Sequence, residues 1–279
     1  MIKFFVSQKN KKEKGRFMTE NDLSRMKRRF LKYVAAHGMK DPDDQRNIVL
    51  KRKHTLSVLR DMGLLCRGEG LGENDSLIAR AAALLHDTGR FPQYAEFRTF
   101  DDRVSVNHGL LGAETIVREN FLEGLPGEEK SLILRAVKYH NAYAIPKVDR
   151  RAVLFLKLLR DADKLNIWKV MLDYFAQPPK NRATAAGLGL PEGREVSAEI
   201  IPVVLENRVV PISLVKNLKD YRVLLLSWVF GINFKTTFRL FFRRRYARAL
   251  KDSLPRDSEV QKAVLHMERF ARSRTLPSS

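Results

Sequence analysis

The 279-residue chain carries 52 lysines and arginines against 32 aspartates and glutamates, a formal net charge of +20, and 44 % of its residues are hydrophobic. Its single cysteine, Cys66, excludes an intrachain disulfide and a cysteine-built metal site, and the longest apolar stretch, around Val223 to Ile232, falls well short of the roughly 20 residues a spanning helix needs. The hydrophobic share is that of an ordinary soluble globular protein, whereas the charge favours polyanions as partners: nucleic acid, nucleotides or an anionic membrane surface.

The apolar run at Met1–Ser7 is too short for a secretory signal. With one cysteine, the expected location is a reducing cytoplasm. Residues 1–20, with Lys3, Lys9, Lys11, Lys12, Lys14 and Arg16, read as a flexible basic arm. The rest, 21–279, reads as a single helical domain, with a core over about 44–176 and a helical extension over about 195–272. A first helix is expected from Asn21 or Asp22, carrying Leu23, Met26, Phe30 and Tyr33-Val34 at helical intervals. Gly38 ends it, and a second helix from about Asp44 to Leu65 places His54 and Val58 on one face. The glycines Gly68, Gly70 and Gly72 form a loop without the lysine and Ser/Thr of a phosphate-binding loop.

Asn74-Asp75-Ser76 is read as the cap of a central helix that ends Ala81-Ala82-Ala83-Leu84-Leu85-His86-Asp87-Thr88-Gly89-Arg90. So apolar a helix is expected to be buried, with Gly89 as its left-handed cap. Phe91 to Arg98 reads as an aromatic loop. Further helical patterns start at His108, run from Glu128 to Tyr139 ahead of His140, and run from Asp149 to Phe175, stopped by Pro178-Pro179. After a Pro/Gly-containing connection they resume at Ser197–Glu206, Leu214–Phe230, Thr236–Leu250 and Asp257–Arg272. No alternating run demands a sheet, so the expected class is all-α, with the last helices packed on the core.

A histidine and an aspartate side by side in an apolar interior need partners, because an unpaired buried polar group costs about 2–7 kcal/mol. A divalent metal ion satisfies both together. His54 and Asp161, the latter in Arg160-Asp161-Ala162-Asp163-Lys164-Leu165, are the candidate co-ligands. The series His54, His86-Asp87, Asp161, with Thr88-Gly89-Arg90 after the doublet, resembles the signature of the HD superfamily of metal-dependent phosphohydrolases. That resemblance covers roughly Lys51 to Phe175. It implies an HD-type helical bundle with additional C-terminal helices. His108 and His140, between the doublet and the last aspartate, are similar to the second-metal histidines of the six-ligand subset. By that resemblance His54, His86, Asp87 and Asp161 hold one metal, and Asp87, His108 and His140 another. One ion or two, drawn from Mn, Fe, Ni, Co, Zn or Mg, suit such imidazole–carboxylate sets. The resemblance does not extend to the Gly-Tyr-Pro residues of the cyclic-dinucleotide hydrolases, where Asn141 to Pro146 stand, nor to the acidic residues after the doublet of the guanosine-tetraphosphate hydrolases.

A bound divalent ion lowers the pKa of its water toward about 7. The expected activity is therefore hydrolysis of a phosphomonoester or phosphodiester, of a nucleotide by preference, with Asp87 at the centre. Arg90 and Lys164 are the candidate phosphate-binding cations; each has a plainer reading, Arg90 as a helix-end charge and Lys164 as a partner of Asp161 or Asp163. Asp163 is read as lying on a different helical face from Asp161, either behind the ligands or as a salt-bridge partner. His37 and His266 read as structural, and the aromatics Phe91, Tyr94, Phe97 and Phe100 as packing. The stretch from Phe238 to Lys251 mixes Arg239, Arg243, Arg244, Arg245 and Arg248 with aromatics, either as a polyanion-binding helix or as a solvated face over a packed stripe. A second function class stays open beside the enzyme: an HD-fold nucleic-acid or nucleotide-binding regulator without strong catalysis.

Overall fold

The computed structural model describes residues 17–275, and every regular element among them is helical. Most of the expected basic arm lies outside the described residues. At its end, Met18 is buried and its backbone N–H donates to the Glu129 carboxylate at 3.1 Å. Helix α1 (Glu20–Ala36) starts a residue or two earlier than expected. Its cap is Thr19, and Asp22 closes a reciprocal capping box from the third helical position. Asp41 caps α2 (Pro42–Gly68), where Pro42 fits the first turn because its missing N–H has no partner there anyway.

The central helix α3 (Glu73–Leu85) is entered from Gly72, so Asn74-Asp75-Ser76 lie inside its first turn instead of capping it. It touches α1, α2, α6 (Gly127–Tyr139) and α7 (Arg150–Ala176). From Leu77 to Leu85 only Arg80 escapes full burial. A helix apolar on all sides must be covered on all sides, and its three consecutive alanines let neighbours approach. Each fully buried leucine here contributes about 1.5–3 kcal/mol.

Residues 91–98, expected as a loop, form most of a short helix α4 (Arg90–Phe97), whose Phe91 and Tyr94 are buried. The period is helical, but eight residues between Gly89 and a left-handed Arg98 gave little length to recognise it by. Helix α5 (His108–Arg118) follows, capped by Asn107, then α6 and α7, with α7 capped by Asp149.

Beyond α7 the chain builds α8 (Ile200–Leu205), α9 (Leu218–Ser227), α10 (Lys235–Arg243), α11 (Tyr246–Asp252) and α12 (Ser258–Ser273). The expected single helix from Thr236 to Leu250 is broken at Arg245, whose φ of 59° ends the helical register. Helices α10 and α11 pack on α7. Trp168 of α7 donates its indole N–H to the Leu225 carbonyl at 2.7 Å, and its ring lies 4.4 Å from that of Phe241. Phe238, Phe241 and Tyr246 are buried, and Arg244 forks onto the fully buried Asp61 of α2 at 2.8 and 2.6 Å. The aromatic half of that stretch is therefore packing, with Arg239, Arg243, Arg245 and Arg248 left exposed over it. No helix of the described residues is long and apolar enough to cross a membrane.

Gly89 is not a left-handed cap: its φ is −67° and ψ −20°. A glycine is required for a different reason. A Cβ built there would lie 2.3 Å from the His108 carbonyl oxygen and 2.6 Å from the Gly112 nitrogen. The HD turn and the start of α5 touch backbone to backbone, and backbone atoms cannot rotate away. Gly89→Ala should therefore lower stability by about 1–3 kcal/mol, the cost of overpacking. Urea unfolding measures this; a change within about 0.5 kcal/mol, as for an ordinary surface site, would contradict the close approach.

Candidate metal centre

Five elements deliver side chains to one point. α2 brings His54 from its middle. α3 stops at Leu85, and the turn His86–Gly89 lets two adjacent side chains converge, which a regular helix, turning about 100° per residue, would forbid. α5 brings His108 as its first residue, His140 follows the last residue of α6, and α7 brings Asp163. His54, His86, Asp87, His108 and His140 are all buried.

Nε2 of His54 lies 3.2 Å from Nε2 of His86, and Nε2 of His108 lies 3.0 Å from Nε2 of His140. Asp87 stands between the pairs. Its Oδ2 is 3.5 Å from Nε2 of both His54 and His86, and its Oδ1 is 3.7 Å from Nε2 of His108. Oδ1 of Asp163 is 3.1 Å from His54 Nε2 and 3.6 Å from His86 Nε2.

The outer nitrogens fix the tautomers. Nδ1 faces the Asn166 side-chain oxygen in His54 (2.8 Å), the Ala83 carbonyl in His86 (2.9 Å), the Asp102 carboxylate in His108 (2.6 Å) and the Val137 carbonyl in His140 (2.7 Å). All four partners are acceptors, so each Nδ1 carries its proton and donates. In the neutral ring Nε2 is then a bare lone pair. Four lone pairs and two carboxylates pointing at one another in a dry interior repel unless a cation lies among them. Asp163 Oδ1 adds to this, being a buried oxygen with no hydrogen bond. Histidine ligands oriented by a hydrogen bond from their other nitrogen are the usual construction around a protein-bound metal, and the donor set of imidazole nitrogens and carboxylate oxygens fits a divalent transition ion.

Charge tuning divides the cluster: against its burial, Asp87 and Asp163 raise His86 above the ordinary imidazole value, whereas His108 and His140 are lowered. Burial disfavours the ionised form of Asp87, but Lys51, His86 and Arg90 outweigh it and hold the carboxyl well below the usual range. Asp163 is likewise held low, because the imidazoles of His54 and His86 beside its carboxylate outweigh its burial. Burial, with the Arg90 charge, pushes His108 down to about 4. Burial, with His108 and His86 beside it, pushes His140 down to about 3. Both rings are thus neutral, ligand-ready bases at pH 7.

The structure departs from the sequence reading at Asp161. That carboxylate turns away from the histidines and holds the segment after Gly231. It accepts from the Asn233 backbone N–H (3.1 and 3.0 Å) and side chain (2.8 Å), the Phe234 N–H (3.1 Å) and the Thr237 hydroxyl (2.8 Å). Asp163 stands where Asp161 was expected. Lys164 likewise leaves the centre, donating to the Gly231 carbonyl at 2.9 Å, with its pKa brought down to about 8 by burial. Helical geometry accounts for both. Asp161, Lys164 and Trp168 share the α7 face toward the C-terminal helices, whereas Asp163, Asn166 and Val170 share the face toward α2. Arg90 does border the centre, with Nε 3.6 Å from Asp87 Oδ1, but its Nη1 is tied to Gln93, Phe100 and Asp102.

Three participants escaped the sequence reading. Lys51 is one turn before His54, on its face, and reaches Asp87 Oδ2 at 2.8 Å; that spacing was the available signal. Asn166 is one turn after Asp163. Asp102 sits in the loop before α5, where no periodicity points to it.

Residues 52–168 match the HD domain family. The chain carries an HD domain. The match spans every histidine and carboxylate of the cluster, and the HD domain is the one expected from the doublet and its neighbours. It stops short of the C-terminal helices. No curated protein and no solved structure matches the chain.

The HD cluster separates the two aspartates experimentally. Asp163→Ala should lower metal affinity by at least about 10–100-fold, the cost of removing merely a ligand's hydrogen-bond partner. Asp161→Ala should keep the wild-type metal content and instead lose about 1–3 kcal/mol of stability, because buried donors lose their acceptor. Metal analysis after dialysis, with thermal unfolding, reads both; the reverse pattern would restore Asp161 to the centre.

Proposed function

We propose that the protein is a divalent-metal phosphohydrolase acting on a phosphomonoester or phosphodiester, with a nucleotide as the preferred class of substrate. One observation carries this reading: four Nδ1-tethered histidines aim bare Nε2 atoms, with Asp87 and Asp163, at one buried point. His54, His86, Asp87 and Asp163 would hold one ion. Asp87, His108 and His140 would hold a second. When bound, such ions supply a nucleophilic hydroxide at neutral pH and neutralise charge on phosphoryl oxygens.

The chain's own residues supply the rest. Asn166, Asp102 and the carbonyls of Ala83 and Val137 fix the imidazoles before substrate arrives, so no reorganisation is left for the reaction itself. Lys51 and Arg90 flank Asp87 and present positive charge to an incoming phosphate. Beside the cluster, between α2 and α7, lies a cavity of about 840 Å³ that includes His54 and Asn166 in its walls, large enough for a nucleotide-sized ligand. The net charge of +20 supports a second reading, a polyanion-binding regulator, and salt dependence of affinity for long RNA or DNA tests it.

Phosphate release from mononucleotides, cyclic nucleotides and a generic diester, with each divalent metal in turn and a chelator control, tests the enzyme. We expect release with at least one metal and none with chelator, and loss of turnover in Asp87→Ala with the helix content retained. His108→Ala and His140→Ala should each lower bound metal from two equivalents toward one. An active Asp87→Ala protein, or unchanged stoichiometry in both histidine variants, would contradict the proposal.

A further inference from the structure

The HD centre opens onto two spaces of unequal size. The first, of about 840 Å³, runs between α2 and α7. The second, of about 130 Å³, is lined by Lys51, His54, Arg90, Phe100 and Tyr221, with a wall from Ala185, Ala186 and Leu188. Leu50, His54, Val170 and Ala186 belong to both, so the spaces adjoin at the histidine that is also part of the metal cluster.

The small space is chemically unlike the large one. Lys51 Nζ is 2.8 Å from Asp87 Oδ2 and 5.1 Å from the centre of the Phe100 ring, and the Arg90 guanidinium lies 5.8 Å from the same ring. Two cations therefore share one aromatic wall and one carboxylate. Arg90 Nε is buried without a hydrogen-bond partner. Its nearest acceptor is Asp87 Oδ1 at 3.6 Å, beyond hydrogen-bond distance; a buried guanidinium N–H without a hydrogen bond costs free energy in the free protein, and a phosphate oxygen would satisfy it. The volume of about 130 Å³ is roughly that of four waters at about 30 Å³ each. It matches a phosphate group, with five heavy atoms, more closely than a phosphate that carries an organic substituent on that side.

Tyr221 belongs to α9, and residues 185–188 to the connection that follows α7. Both lie outside the matched HD domain. Tyr221 is buried and contributes to the wall of the small space together with Lys51, Arg90 and Phe100.

We propose that Lys51, Arg90 and Tyr221 form a terminal-phosphate subsite, walled in part by the C-terminal extension, that selects phosphomonoesters over phosphodiesters. The phosphoryl group enters the small space and the alcohol portion remains in the large one. A diester carries a second organic group on phosphorus, and that group would have to occupy the space Tyr221, Ala185, Ala186 and Leu188 fill. This narrows the phosphohydrolase reading to monoesters and rests on it for the metal centre.

Binding distinguishes the inference from that reading, because it does not require turnover. Phenyl phosphate and diphenyl phosphate are titrated calorimetrically into metal-loaded protein, with inorganic phosphate as competitor. Phenyl phosphate should bind at least tenfold more tightly than diphenyl phosphate and be displaced by inorganic phosphate. Lys51→Met should lower phenyl phosphate affinity about tenfold, Lys51→Arg should restore most of it, and Tyr221→Ala should raise diphenyl phosphate affinity toward that of the monoester. Tyr221 touches no candidate ligand, so that variant should keep wild-type metal content even if Lys51→Met disturbs Asp87. Equal binding of the two esters, no binding of either, or a Tyr221→Ala protein that still rejects the diester would overturn the subsite. If selective binding occurs with no hydrolysis, the subsite stands and the enzymatic reading falls. If diesters bind and are hydrolysed, the enzyme stands and the subsite falls.

Discussion

Repulsion among four imidazole lone pairs and two carboxylates in a dry interior is the constraint around which this fold is arranged. Each ring is held by its own acceptor: Asn166 for His54, Ala83 for His86, Asp102 for His108 and Val137 for His140. Those bonds point every Nε2 inward. Without a cation the arrangement is costly, because like-signed groups face each other where water cannot screen them. With one it becomes a preformed ligand shell.

The packing serves that shell. α3 is so apolar that α1, α2, α6 and α7 cover it on every side, which brings the middle of α2 and the ends of α3 and α6 together. Gly89 allows the start of α5 to press against the HD turn and carry His108 in. The two faces of α7 divide the labour. One brings Asp163 and Asn166 to the cluster. The other uses Asp161 and Lys164 to hold the Gly231–Thr237 segment, and so ties the C-terminal helices to the helix that carries the site.

Much of this was legible in the residues. The helical periods of α1, α2, α6 and α7, the absence of alternating runs, and the His86-Asp87 doublet in an apolar helix led to an all-α fold and an HD-type centre. Three things were not legible. Asp161 and Asp163 stand two apart in one short motif, and only the neighbours on each face, Asn166 against Trp168, separate their roles. Gly89 reads like a helix cap because sequence shows where a glycine is, not which backbone crosses it. Asp102, Tyr221 and residues 185–188 come to the site from loops or distant helices, and no local pattern encodes such long-range meetings. Arg90 fell between these cases, since its position after the doublet was visible but its ties to Gln93, Phe100 and Asp102 were not.

The most direct measurement is anomalous scattering from crystals grown with manganese, recorded at its absorption edge. Two peaks are predicted in the buried centre, one against His54, His86 and Asp163 and the other against His108 and His140, with Asp87 between them. A well-ordered centre without any peak, or a peak coordinated by Asp161, would contradict the account.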